Sequence, residues 1–92
     1  MIKDVEFSRK AEKDLKKLPD RISKKLLAWV SAVEEDGLEE TRKNKGTHDE
    51  PLKGKRFGQR SIRLSKAYRA IYRIEKKRIE IAIIEEINKH DY

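Results

Sequence analysis

The apolar residues of this chain change their spacing once, and that change decides the class of fold. Across residues 9–33 they recur every three or four positions; across 60–87 they fall at every second position. The first spacing puts Ala11, Leu15 and Leu18 on one side of a helix. It then puts Ile22, Leu26, Trp29, Val30 and Val33 on one side of another. Ser8 is the expected N-cap of a helix over 9–18. Pro19 ends that helix, Asp20 caps the next and Gly37 stops it. So short a gap makes the pair an antiparallel hairpin. Trp29 lies on the stripe and reads as core.

The second spacing predicts strands over 60–65, 68–75 and 78–87, joined by tight turns at 65–67 and 75–77. A shorter strand over 2–7, with Val5 and Phe7 on one face, precedes the helices. The order β-α-α-β-β-β predicts one α+β domain spanning 1–92. A two-helix hairpin packs on one face of a small, mainly antiparallel sheet. Residues 37–59 show no period and contain Gly37, Gly46, Pro51, Gly54 and Gly58. They read as a long loop with room for a short helix or strand.

Alternation also sorts the strand residues by face. The sets expected under the helices are Ile62 and Leu64, then Tyr68, Ala70, Tyr72 and Ile74, then Ile79, Ile81 and Ile83. The opposite face then carries Arg63, Arg69 and Arg73 over a floor of Ile71, Ala82 and Ile84. Arginines standing on apolar neighbours are partly shielded from water, which strengthens their pull on an anion.

Charge points to the same region. The chain carries +7, and residues 37–69 hold ten Lys or Arg against four Asp or Glu, while both flanks are close to balance. A concentrated excess of this kind suits a polyanion. The chain is 45% charged, a level at which disorder has to be considered, but the strong periodicity favours a folded domain. There is no cysteine, so there is no disulfide framework or thiolate metal site; two separated histidines form no ligand cluster. No metal or cofactor is expected. The N-terminus lacks a signal-peptide pattern, and no apolar run approaches the ~20 residues that span a bilayer. The expected setting is cytoplasmic, away from membranes.

Cutting RNA without a metal needs a base for the 2′-hydroxyl, an acid for the leaving 5′-oxygen, and cations for the phosphorane-like transition state. Arg is the best phosphate clamp, and His the usual acid or base near neutral pH. The histidines are His48, in the loop, and His90, after the last strand; Tyr92 ends the chain, where its ring could stack on a base. Glu50 is an acid set among cations.

The segments Glu50-Pro51-Leu52-Lys53-Gly54, Arg60-Ser61-Ile62-Arg63-Leu64, Tyr68-Arg69-Ala70-Ile71-Tyr72-Arg73 and Asn88-Lys89-His90-Asp91-Tyr92 resemble the RelE/YoeB/HigB superfamily of bacterial type II toxins. The element order matches as well, so the resemblance covers essentially the whole chain. It implies a RelE-like fold and an endoribonuclease that cuts mRNA in the A site of the small ribosomal subunit. The chemistry implied is metal-independent 2′-hydroxyl attack, blocked by a cognate antitoxin. Glu50 matches the general-base position, Arg69 the phosphate-stabilising arginine and Arg63 a basic position on the preceding strand. His90 and Tyr92 match the C-terminal His-Tyr pair, which YoeB-like chains keep adjacent and Asp91 separates here. Lys53, Lys55, Arg56, Arg60 and Arg73 are the expected RNA contacts. Two other readings stand beside this one: a gyrase-poisoning toxin of the ParE type, and an RNA-binding module without catalysis.

Overall fold

The computed structural model of the chain describes residues 1–76 and 80–89. Its elements, in order, are β1 (Asp4–Phe7), α1 (Arg9–Lys16), α2 (Asp20–Asp36), α3 (Leu38–Arg42), β2 (Glu50–Pro51), β3 (Gln59–Arg63), β4 (Tyr68–Glu75) and β5 (Ile81–Lys89). The helical hairpin and the strand order arise where the periodicity places them. Arg78 and Ile79, the expected start of the last strand, lie outside the described residues, as does Lys77 of the turn before it.

The segment expected as a loop holds more structure than its sequence shows. α3 and β2 lie in it, with 3-10 turns at Lys45–Thr47 and Gly54–Arg56. One turn of helix is too short to display a period, yet α3 buries Leu38 and Thr41. Gly37 does stop α2, in a backbone conformation (φ +89°) that favours glycine, and a Cβ there would come within 2.8 Å of Met1 Cγ.

The strands lie in the order β1-β5-β4-β3-β2; β1 runs parallel to β5 and every other pair is antiparallel. Both long helices cover one face. Ala11, Ile22, Leu26, Trp29 and Val33 pack there on Ile62, Leu64, Ala70, Tyr72, Ala82, Ile84 and Ile87. The rings of Trp29 and Tyr72 stand 5.2 Å apart at the centre.

The face expected for β5 is reversed. Both alternating sets of that strand are apolar, so alternation alone cannot choose between them; register does. Ala82 and Ile84 pair with Val5 and Phe7 on one side and with Ile74 and Tyr72 on the other, which places them under the helices. Ile81 and Ile83 take the open face.

β5 also carries a bulge. Ile71 pairs with Glu86 and Tyr72 with Ile84, so Glu85 has no cross-strand partner. The extra residue lets Glu85 and Glu86 both reach the open face and returns Ile87 to the core. Ser8 holds this irregularity. Its Oγ donates to the Glu85 carbonyl at 2.7 Å and accepts from the Ala11 N–H at 3.0 Å, while its own N–H donates to the Ile84 carbonyl at 2.9 Å. Ser8→Ala removes a helix cap and a carbonyl's partner together. It is expected to cost about 1–2 kcal/mol, read as a lower urea midpoint at unchanged slope.

Candidate phosphate-binding cleft

Cross-strand register arranges the open face in rows. Glu50, Ser61, Ile71 and Glu86 align across β2, β3, β4 and β5. Arg63, Arg69 and Asn88 form the row on one side of it, and Gln59, Arg73 and Ile83 a row on the other. The two flanks differ in electrostatics. Beside Gln59 the cations are neutralised: Arg73 pairs with Glu75 and Glu85, and Arg56 reaches across the face to Glu86. Beside Arg63 and Arg69, no acidic partner is found among the described residues. The Arg69 Nε is buried there and has no hydrogen-bond acceptor among the described residues.

A cleft of about 140 Å³ opens at this unpaired end, lined by His48, Glu50, Arg63, Ser65, Lys66, Tyr68 and Arg69. Two arginines and a lysine therefore face one carboxylate and one imidazole. Like charges directly opposite on neighbouring strands repel, and a buried guanidinium N–H without an acceptor is costly. An anion lying between the arginines would relieve both.

One buried carboxylate holds the acidic edge of the cleft in place. The Asp49 side chain is fully buried and accepts from Arg60 Nε at 2.6 Å and from the Tyr72 hydroxyl at 2.5 Å; Arg42 Nε lies 3.9 Å away. Successive side chains of an extended segment point to opposite sides. With Asp49 turned inward, Glu50 at the start of β2 takes the opposite, cleft side, and His48, whose backbone is left-handed (φ 45°), lines the cleft as well. Burial first, and the bond to Asp49 next, push the Tyr72 phenol well above its ordinary range, so it remains a neutral donor.

Of the residues expected at the site, Glu50, Arg63 and Arg69 meet in the cleft. His90 and Tyr92 lie outside the described residues. Lys53 and Lys55 are exposed on the loop between β2 and β3. Arg56 is tied to Glu86 and Gln59, and Arg73 to its two glutamates. Arg60 pairs across from Tyr72, so it shares the helix side and is held by Asp49. Ser65, Lys66 and Asp49 were not anticipated. A core tyrosine needs an acceptor for its hydroxyl, and that need was the available signal for Asp49.

A family model described as the ParE toxin of the type II toxin–antitoxin system parDE matches residues 5–90. No curated protein sequence matches. Among solved structures, YafQ from E. coli strain BL21(DE3) superposes with a TM-score of 0.74 at 21% identity, covering 96% of this chain and 93% of that one. A YoeB/ParE toxin from Agrobacterium tumefaciens gives 0.70 at 16% identity, covering 96% and 99%. A chain of the RelBE2 toxin–antitoxin complex from Mycobacterium tuberculosis gives 0.64 at 27% identity, covering 98% and 100%.

Proposed function

Because this chain belongs to the ParE toxin family, within the RelE/YoeB-like superfamily of type II toxins, we propose that it acts by cleaving mRNA on the ribosome. The observation that carries this reading is the convergence of Glu50, Arg63 and Arg69 in one cleft whose cations lack acidic partners among the described residues. The scissile phosphate sits between the two arginines. The Glu50 carboxylate takes the proton of the adjacent 2′-hydroxyl, whose oxygen attacks phosphorus. Arg69 and Arg63 neutralise the charge that builds on the non-bridging oxygens. The bond to the 5′-oxygen breaks, leaving a 2′,3′-cyclic phosphate, and an acid protonates the departing oxygen. The family resemblance offers two candidates for the acid, His90 and Tyr92. His48, already lining the cleft, is a third. A cognate antitoxin is the expected protein partner, and covering this cleft would silence it. Among the described residues no helix is long and apolar enough to cross a membrane.

The second reading is the gyrase-poisoning toxin of the ParE type, and the matched family carries the ParE name. One experiment separates the two. Purified protein is added to a translating extract and mRNA ends are mapped by primer extension; gyrase supercoiling is assayed in parallel. Breaks that need translation, and that fall about 10²-fold in Glu50→Gln, support cleavage. Intact mRNA with blocked supercoiling overturns it in favour of gyrase. Replacing His48 and His90 separately by Ala, and Tyr92 by Phe, then identifies the acid.

A further inference from the structure

Among the described residues, Phe57 is the one aromatic side chain left exposed; 87% of its surface faces solvent. Its setting is not a slack loop. The segment is closed at its base by the Leu52 N–H donating to the Gln59 carbonyl at 2.9 Å. Within it, the Phe57 N–H donates to the Gly54 carbonyl at 3.1 Å. Arg56 pins its flank to Gln59 and Glu86. Gly54 and Gly58 bracket the turn at φ +66° and +96°, conformations open to glycine at no steric cost. A defined backbone therefore holds a large apolar ring out in water, where it gains nothing for the fold.

The surroundings of the ring indicate what it fits. Residues 51–59 contain Lys53, Lys55 and Arg56 and no acid. A protein hot spot is ringed by apolar or well-packed neighbours that exclude water, whereas Phe57 is flanked by glycine, basic residues and Gln59. A nucleobase needs only one aromatic face to stack on, with cations nearby for its phosphates. Position agrees. β3 leads from this turn to Arg63, a path on the order of 20 Å, which a single strand of a few nucleotides can bridge. On the open face near Gln59 the arginines are held by carboxylates, so at this end phosphate is left to the exposed Lys53 and Lys55 of the loop, and stacking adds to their hold.

We propose that Phe57 is a base-stacking anchor for single-stranded RNA flanking the cleavage site, with Lys53 and Lys55 on the adjoining phosphates. The proposal rests on the RNA-cleaving reading and adds a subsite to it.

The test is binding of a labelled, single-stranded RNA decamer, fully 2′-O-methylated so that it cannot be cut, followed by fluorescence anisotropy across a salt series. Phe57→Ala is expected to weaken binding about 5- to 150-fold, the range for one stacked base, with an unchanged melting temperature. Phe57→Tyr is expected to restore it. The slope of log affinity against log salt should stay constant in Phe57→Ala. It should flatten by about 1.4 in the Lys53→Ala, Lys55→Ala double variant. Equal affinity of Phe57→Ala and wild type overturns the proposal, as does no binding by the wild type. A Phe57→Ala change seen only in self-association, by sedimentation, also overturns it. Translation-dependent cleavage by a wild type whose RNA affinity ignores Phe57 sinks this subsite alone. Phe57-dependent binding by a protein that cleaves nothing sinks the cleavage reading alone.

Discussion

Arg69→Met is expected to lose mRNA cleavage by about 10²-fold or more while making the protein more stable. The two effects share a cause. Arg69 stands directly opposite Arg63 in the β3–β4 register, and its buried Nε has no acceptor among the described residues. A cross-strand like-charge pair costs up to about 1 kcal/mol, and an unsatisfied buried donor adds to that. Methionine keeps the unbranched stem that packs on the sheet and removes the charge. A gain of about 1 kcal/mol raises the melting temperature of a domain this size by roughly 4–8 °C. Cleavage falls because the charge building on the phosphate loses its nearest buried donor. A site organised to bind an anion should trade stability for activity in this way. Thermal melts of Arg69→Met beside primer extension provide the check. Equal loss of stability and activity would mean that Arg69 is a structural residue, and the cleft would lose its central role.

The helices, the strands and the arginine face were legible because each rests on a period. Ile62, Leu64, Ala70 and Tyr72 alternate against Arg63, Arg69 and Arg73, and packing follows that alternation. Where both alternating sets are apolar, as in Ile81–Ile84, pattern has no preference and pairing with β1 and β4 decides. The bulge at Glu85 was hidden for a related reason. A one-residue insertion in a ladder has no signature in Ile84-Glu85-Glu86-Ile87 until the Ser8 cap and the neighbouring strand are known. The loop concealed most, since α3 and β2 are each too short to show a period. The joining of Glu50 to Arg63 and Arg69 came from family resemblance at the level of sequence. In the structure it follows from β2 pairing with β3 at Glu50 and Ser61. Charge counting also overstated the cationic face, because it treats every arginine as free; Arg56, Arg60 and Arg73 are each held by a carboxylate.

Asp49→Ala is expected to cost about 3 kcal/mol and to lower the melting temperature by roughly 12–24 °C. The carboxylate is fully buried, and its removal strands two partners. The Tyr72 hydroxyl belongs to a residue with no exposed surface and would be left without its acceptor. The Arg60 side chain, 20% exposed, can recover some hydration, which keeps the loss at the low end of the range for broken buried pairs. Against a total stability of about 5–15 kcal/mol, a loss of this size is large. The catalytic consequence is separable from the thermal one. Asp49 fixes the segment that carries His48 and Glu50, so cleavage should fall even at temperatures where the variant is folded. Replacing the whole network with apolar residues (Asp49→Leu, Arg60→Leu and Tyr72→Phe together) is expected to restore most of the stability, since a buried ion pair exchanged entire is often neutral. It should not restore cleavage, because the anchor that directs Glu50 into the cleft is still missing. Recovery of both would show that Asp49 acts on stability alone and that Glu50 finds its position without it.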